Sequence, residues 1–286
     1  MSKRVILSAD STCDLGEELR DRYSVHYYPY HIILEGESYS DGVDVTPDMI
    51  YEIYNRKKIL PKTAAINIAE YAEFFTQFTE QGYEVVHITL GRGISASYNN
   101  CRLAAENIPG VHVIDSCNLS SGSGMLVIEA ANRIADGMSA EQTVNEVRAL
   151  APFVNTSFVI DTLEFLYMGG RCSSLQMLGA NLLKLKPCIE VNNDDGTMNL
   201  GKKYRGTLDK ALEQYVADRL ENCDNIRDDR VFITHSGISQ QRIDMVKNLI
   251  HEHKEFREVF VSRAGCTISS HCGPNTLGII FMTNNS

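Results

Sequence analysis

Short apolar runs separated by amphipathic stretches organise the first half of the chain. Arg4–Ala9 reads as a strand that runs into the polar triplet Asp10-Ser11-Thr12. Leu15–Arg22 reads as a short helix, Val25–Leu34 as one extended segment, and Glu35-Gly36 as a turn before Ser38-Tyr39. Thr46 followed by Pro47 marks a helix start, because the hydroxyl caps free amides and proline has no amide to leave unpaired. Asn67 with Glu70 forms a capping box, and Ile68, Tyr71, Phe74, Phe75 and Phe78 recur at helical spacing before Gly82. Strands Glu84–Leu90 and Val111–Asp115 alternate with helices Ser95–Asn107 and Ser120–Ala135, and Ser139 with Gln142 opens a further helix to Ala151. Such alternation predicts a parallel sheet covered on both faces, a three-layer αβα unit.

After Pro152 the pattern changes. A strand at Thr156–Ile160 leads to the Gly169-Gly170 break and a helical stretch through Leu185. Lys186–Val191 and Thr197–Lys203 flank Asn192–Gly196, where Asp195-Gly196 signals a hairpin. Helices Thr207–Leu220 and Ser239–His251 and strands Val231–His235, Glu258–Val261 and Gly278–Met282 complete the chain. The expected architecture is α/β with two domains: residues 1–153 around a parallel sheet and residues 154–286 around a mixed sheet.

Composition narrows the function classes. With 37 acidic against 27 basic residues in 286, the net charge is −10, which disfavours nucleic acid and anionic membrane as main partners. No apolar run approaches the roughly 20 residues that span a bilayer, and Val5-Ile6-Leu7 after Lys3-Arg4 is too short for a secretory signal. Eight cysteines without a Cys-x-x-Cys pair read as reduced thiols of a cytoplasmic protein. Cys266, His271 and Cys272 lack metal-site spacing, since adjacent side chains rarely converge on one ion, so neither a metal nor a cofactor is expected.

Candidate chemistry gathers at predicted strand ends, where open α/β sheets bind ligands. Asp10-Ser11-Thr12, Thr63 after Pro61-Lys62, Ser95-Ala96-Ser97 and Asp115-Ser116 are rich in hydroxyls near helix starts. Hydroxyls with free helix amides suit an anion, although the same residues serve as ordinary caps. Gly91-Arg92-Gly93 with Asp115 is a partial dinucleotide motif that lacks its third glycine. Gly93-Ile94-Ser95-Ala96-Ser97 approximates a nucleophile elbow, with Ser97 in place of the closing glycine. Together with Asp115 and His271 it gives the chain order of a serine hydrolase or esterase, the alternative reading. His271 precedes the rigid turn Gly273-Pro274, and Gly169-Gly170-Arg171 is suited to present a cation from a loop.

These segments resemble the DegV family. They comprise Asp10-Ser11-Thr12-Cys13-Asp14-Leu15, Pro61-Lys62-Thr63, Ile94-Ser95-Ala96-Ser97-Tyr98-Asn99, Asp115-Ser116 with Gly122-Ser123-Gly124, Asp161–Leu166 with Gly169-Gly170-Arg171, Lys186-Pro187 and His271-Cys272-Gly273-Pro274. The series keeps family order over nearly the whole chain. The resemblance implies a bacterial two-domain protein that holds a long-chain fatty acid between its domains. It also implies a partner, a fatty acid kinase, which phosphorylates the bound carboxylate with ATP; the carrier itself performs no chemistry and passes the acyl phosphate to lipid synthesis, with transient membrane contact for exchange. Thr63, Ser95 and His271 match the family's carboxylate-binding positions, Ser97, Ala96 and Gly273 belong to the head-group loops, and Arg171 matches a kinase-docking position. Ala64 and Ala96 depart from the family's usual Ser and Gly. A fold-level analogy to the dihydroxyacetone kinase substrate domain offers a weaker third reading.

The residue types suit that task. Burying tail methylenes supplies affinity, while a carboxylate removed from water needs hydrogen bonds to offset its lost hydration. Neutral donors hold it without the bidentate grip by which an arginine would blunt it as a nucleophile. The tail needs an apolar tunnel, for which Ile160–Leu166, Leu175–Leu185 with Met177, and Ile279–Met282 are the candidates.

Overall fold

The structure, a computed structural model, describes residues 4–172 and 185–284. Its first half runs through β1 (Val5–Asp10), α1 (Glu17–Arg22), β2 (Val25–Tyr28), β3 (His31–Leu34), β4 (Glu37–Ser40), α2 (Pro47–Lys57), β5 (Lys62–Ala64), α3 (Ile68–Thr79), β6 (Glu84–Thr89), α4 (Ser97–Ala105), β7 (Val111–Asp115), α5 (Ser121–Ala135) and α6 (Ala140–Leu150). Strands β2-β1-β6-β7 form an all-parallel sheet. Tyr71 and Phe75 of α3 and Cys101 of α4 pack with Val85 and Val113 on one face. Met125 and Ile128 of α5 and Val147 of α6 pack with Leu7, Val86 and Ile88 on the other. Both expected capping boxes, Asn67 with Glu70 and Ser139 with Gln142, are formed.

The segment 25–34 is not one strand. Pro29 has no amide to give a ladder, so β2 stops before it and β3 starts after it in a different sheet. Antiparallel pairing of β3 with β4, and of β3 with β5, builds a small three-stranded sheet that carries Thr63. Leu15–Arg22 likewise shortens to α1, beginning at Glu17.

The second half runs through β8 (Val154–Val159), α7 (Glu164–Gly169), β9 (Leu185–Val191), β10 (Met198–Arg205), α8 (Leu208–Glu221), β11 (Ile226–His235), α9 (Gln240–His253), β12 (Glu258–Arg263), α10 (Cys266–Cys272) and β13 (Leu277–Thr283). Its sheet has the order β10-β9-β8-β13-β11-β12, antiparallel except for β11 with β12. The protein is therefore α/β, with a parallel-sheet N-terminal domain and a mixed-sheet C-terminal domain. One face of the second sheet packs on α8 and α9 through Tyr215, Val216 and Val246. From the other face, Phe232 and Ile280 join the α5 core of the first domain. Helix α5 is buried around its circumference because it lies between the domains, with Met125, Leu126, Val127 and Ile128 all fully buried.

Two further contacts pin the domains. The β9–β10 hairpin closes through Asn192 N to Thr197 O and Gly196 N to Asn192 O, both 2.8 Å, a longer loop than the two-residue Asp-Gly turn that the sequence suggests. Its tip docks on Gly91-Arg92-Gly93: Gly93 N donates to Asp195 O at 2.8 Å, and a Cβ on Gly93 would lie 2.7 Å from Thr197 Cγ2. These glycines admit the hairpin, and Asp115 pairs with Arg92 at 2.7 Å, so the partial dinucleotide motif has a packing explanation.

The second contact is Asp41, just after β4. Its carboxyl accepts from Cys266 N (2.6 Å), Thr267 N (3.0 Å) and Ser11 Oγ (3.3 Å), and so caps α10 from the other domain. Asp14 accepts from the adjoining Gly265 N at 2.8 Å. Helix α10 is short and rich in small polar residues, so this buried cap stabilises it where propensity does not. Asp41→Ala leaves two amides and a hydroxyl without their acceptor. It is expected to cost about 3 kcal/mol, read as a lower urea midpoint at unchanged slope.

Candidate functional site: an amphipathic cavity between the domains

Three elements converge at the domain junction. Strand β5 supplies Thr63, the loop between β6 and α4 supplies Ser95, and α10 supplies His271. All three line one cavity of about 240 Å³. His271 Nε2 lies 2.9 Å from Thr63 Oγ1, and Ser95 Oγ lies 3.0 Å from the hydroxyl of Tyr30. Leu90, Ile94, Leu119, Met198 and Ile268 form apolar walls. A second cavity of about 30 Å³ shares Leu119, Ile268 and Cys272 with the first and reaches Ile280 of β13.

Burial pushes the His271 imidazole down to about 4, and the nearby Arg171 charge adds to the effect. The ring is therefore neutral near pH 7 and carries one proton. Nδ1 is buried without a hydrogen-bond partner among the described residues, and it faces Gly169 so closely that a Cβ there would collide with it. The hydrogen-bond pattern thus assigns the proton to Nε2, which donates to Thr63 Oγ1. The Thr63 hydroxyl hydrogen is left free to turn into the cavity. Burial also keeps Tyr30 protonated by raising its hydroxyl well above the usual range, so it too is a neutral donor.

The Ser95 loop is held from beneath by Asp10. That buried carboxyl accepts from Tyr71 Oη (2.6 Å), Ser97 Oγ (3.0 Å) and Leu90 N (3.0 Å), and His87 Nε2 lies 3.1 Å away. Ser97 is thereby turned inward and fully buried, away from the cavity, whereas Ala96 lines it. Asp10 and Ser11 serve as supports rather than as an anion loop: Ser11 Oγ accepts from Tyr30 N at 3.1 Å. Gly273 also lies off the cavity, close against Phe165. Arg171 borders the cavity, with Nη1 donating to Gly169 O at 2.6 Å.

The hydrolase alternative is not supported. Ser95 Oγ bonds to Tyr30 and accepts from Ser97 N, His271 bonds to Thr63, and Asp115 bonds to Arg92 and Cys117 N. No nucleophile–base or base–acid bond joins the three, so the triad is not assembled. Of the proposed tail segments, Ile160 and Leu166 belong to the apolar cluster behind the cavity, while Phe165 turns toward Tyr51 and Tyr54. Ile280 lines the second cavity, whereas Ile279 and Phe281 face the α8 side. Leu175–Leu185, except its last residue, and Met177 with it, lie outside the described residues. Two polar cavity residues, Tyr30 and Thr267, were not expected, and neither were the wall residues Leu90, Leu119, Met198 and Ile268, which lie outside the proposed tail segments. No disulfide forms among the described residues, which include all eight cysteines. Among the described residues no His, Cys, Asp and Glu cluster is suited to a metal ion, and no helix is long and apolar enough to cross a membrane.

Fold and site together define a two-domain α/β protein with an amphipathic cavity at the domain junction. A family model described as "Uncharacterised protein, DegV family" matches residues 4–284, and the chain belongs to that family. It is 28% identical over 282 residues to a DegV domain-containing protein of Caldanaerobacter subterraneus, covering 98% of this chain and 99% of the relative. A solved DegV family protein from Thermus thermophilus, described by its fatty acid binding, superposes with a TM-score of 0.90 at 28% identity, covering 98% of this chain and 100% of that one. A stearic acid-binding protein from Eubacterium ventriosum superposes with a TM-score of 0.82 at 27% identity, covering 99% and 98%.

The depressed His271 value has a consequence for stability. Below pH 6.5 the unfolded chain takes up a proton that the folded chain refuses until about 4, so this residue's contribution is full above 6.5 and is lost as pH falls toward 4. Asp14 acts in the opposite direction: burial raises it to about 8, so its contribution is lost as pH rises toward 8. The two are separated by comparing wild type with His271→Gln. The wild-type unfolding free energy from urea titration is expected to fall more steeply than that of the variant between pH 6.5 and 4.5, by about 2 kcal/mol over the interval.

Proposed function

We propose that this chain binds a long-chain fatty acid between residues 1–153 and 154–286, with the carboxylate at Thr63 and Ser95 and with His271 holding Thr63 in place behind it. The observation that carries the reading is the lining of the cavity, in which the neutral groups of Thr63, Ser95, Tyr30 and His271 share one space with apolar walls. Burying about a dozen methylenes contributes roughly 10 kcal/mol before the costs of association, which is ample for retention. The head-group donors then fix register and select for an acid. Fatty acid binding by the Thermus thermophilus and Eubacterium ventriosum relatives supports the same reading.

On this reading the protein is a cytoplasmic carrier and not an enzyme. A separate fatty acid kinase phosphorylates the presented carboxylate, and the carrier takes the acyl phosphate onward, touching a membrane only to exchange lipid. Neutral contacts leave the carboxylate nucleophilic, and Arg171, exposed at the edge of the cavity, is the docking residue for the kinase. Native mass spectrometry of protein expressed in bacteria is expected to show one bound long-chain acid. Thr63→Val and Ser95→Ala are expected to lower its occupancy severalfold and to reduce acyl phosphate formation by added kinase and ATP, with far smaller changes in melting temperature. Unchanged occupancy and unchanged turnover in both variants would contradict the assigned head-group site.

A further inference from the structure

Helix α10 carries four hydroxyl or imidazole side chains, and three have partners. Ser269 Oγ donates to Ala264 O at 3.1 Å, Ser270 Oγ donates to Cys266 O at 2.6 Å, and His271 Nε2 meets Thr63. The two serines use the back-bonding to a preceding carbonyl that is usual for hydroxyls inside helices. Thr267 does not. Its Oγ1 is buried without a hydrogen-bond partner among the described residues, although the residue is only 3% exposed. It lines the same cavity as Thr63, Ser95 and His271, and it sits one helical turn before His271 on the same face. Its backbone amide is anchored by Asp41, so its position is fixed from below.

An unpaired buried hydroxyl costs about as much as a lost hydrogen bond, and a carboxylate offers two oxygens with four acceptor sites. Thr63, Ser95 and Tyr30 do not exhaust those sites. We propose that Thr267 is a further head-group residue, donating its hydroxyl to a carboxylate oxygen of the bound acid. This rests on the fatty-acid reading above. It assigns α10 two roles one turn apart: His271 orients Thr63 from behind, while Thr267 contacts the ligand directly. The unpaired hydroxyl is the kind of local cost that folded proteins keep at binding sites.

The test compares Thr267→Val, which keeps the shape and removes the hydroxyl, with Thr267→Ser, which keeps the hydroxyl. Delipidated protein is titrated with hexadecanoic acid and with its methyl ester. Thr267→Val is expected to weaken binding of the acid by about tenfold and leave the ester unchanged, while Thr267→Ser binds the acid nearly as wild type does. Delipidated Thr267→Val is also expected to melt no lower than wild type, because it removes an unsatisfied group rather than a structural bond. Acid affinity unchanged in Thr267→Val while Thr63→Val weakens it would overturn the proposal and leave the fatty-acid reading standing. Equal losses for acid and ester would also overturn it, by assigning Thr267 to tail packing. Wild-type protein that binds neither compound would overturn the fatty-acid reading itself, and the role of Thr267 with it.

Discussion

The hydrogen bond between Thr63 and His271 is the constraint on which the cavity depends. Thr63 stands on a three-residue strand of the small sheet, and His271 stands on a seven-residue helix more than two hundred positions later. Neither element is stable alone. The sheet reaches α10 a second time through Asp41, so the helix is held at its first turn by a carboxyl and near its last by a threonine. This double attachment brings residues of both domains to a shared cavity.

Burial gives those groups their character. Removed from water, His271 and Tyr30 stay uncharged at neutral pH, and hydroxyls supply the remaining donors. On the proposed reading, these groups recognise an anion by hydrogen bonds rather than by an ion pair, while apolar walls provide the attraction for a tail. Arg171 sits at the exposed margin, close enough to bias His271 toward its neutral form. The supporting carboxyl of Asp10 faces away, on the side of the loop occupied by Tyr71 and Ser97, and so adds no contact to the cavity. Opposite roles for similar residue types follow from which side of a loop each side chain faces.

Alternation of strand and helix patterns made the first domain's sheet legible, because a parallel sheet buried on two faces writes itself as regular apolar runs, and the change of pattern after Pro152 signalled the mixed sheet of the second. Capping boxes marked α3 and α6 for the same local reason. Features set by distant partners were not legible. Strand β5 is too short to carry a period, and β3 shares its apolar run with β2 across Pro29. Helix α10 forms because Asp41, 225 positions away, caps it. At the cavity, Thr63, Ser95 and His271 stood out through motif resemblance. Ser97 was placed in the head-group loop beside Ser95, yet its hydroxyl is committed to Asp10. Tyr30 belongs to no motif, and Thr267 reads as an ordinary helix residue until its missing partner is seen.

The most direct measurement is the nitrogen-15 NMR spectrum of the His271 ring in the delipidated protein as pH is lowered. The account predicts a neutral ring protonated at Nε2 at pH 7, with its titration displaced from 6.5 to about 4. An imidazolium at pH 6, or a neutral ring protonated at Nδ1, would contradict it, because the acid would then be held by a cation or without the Thr63 link.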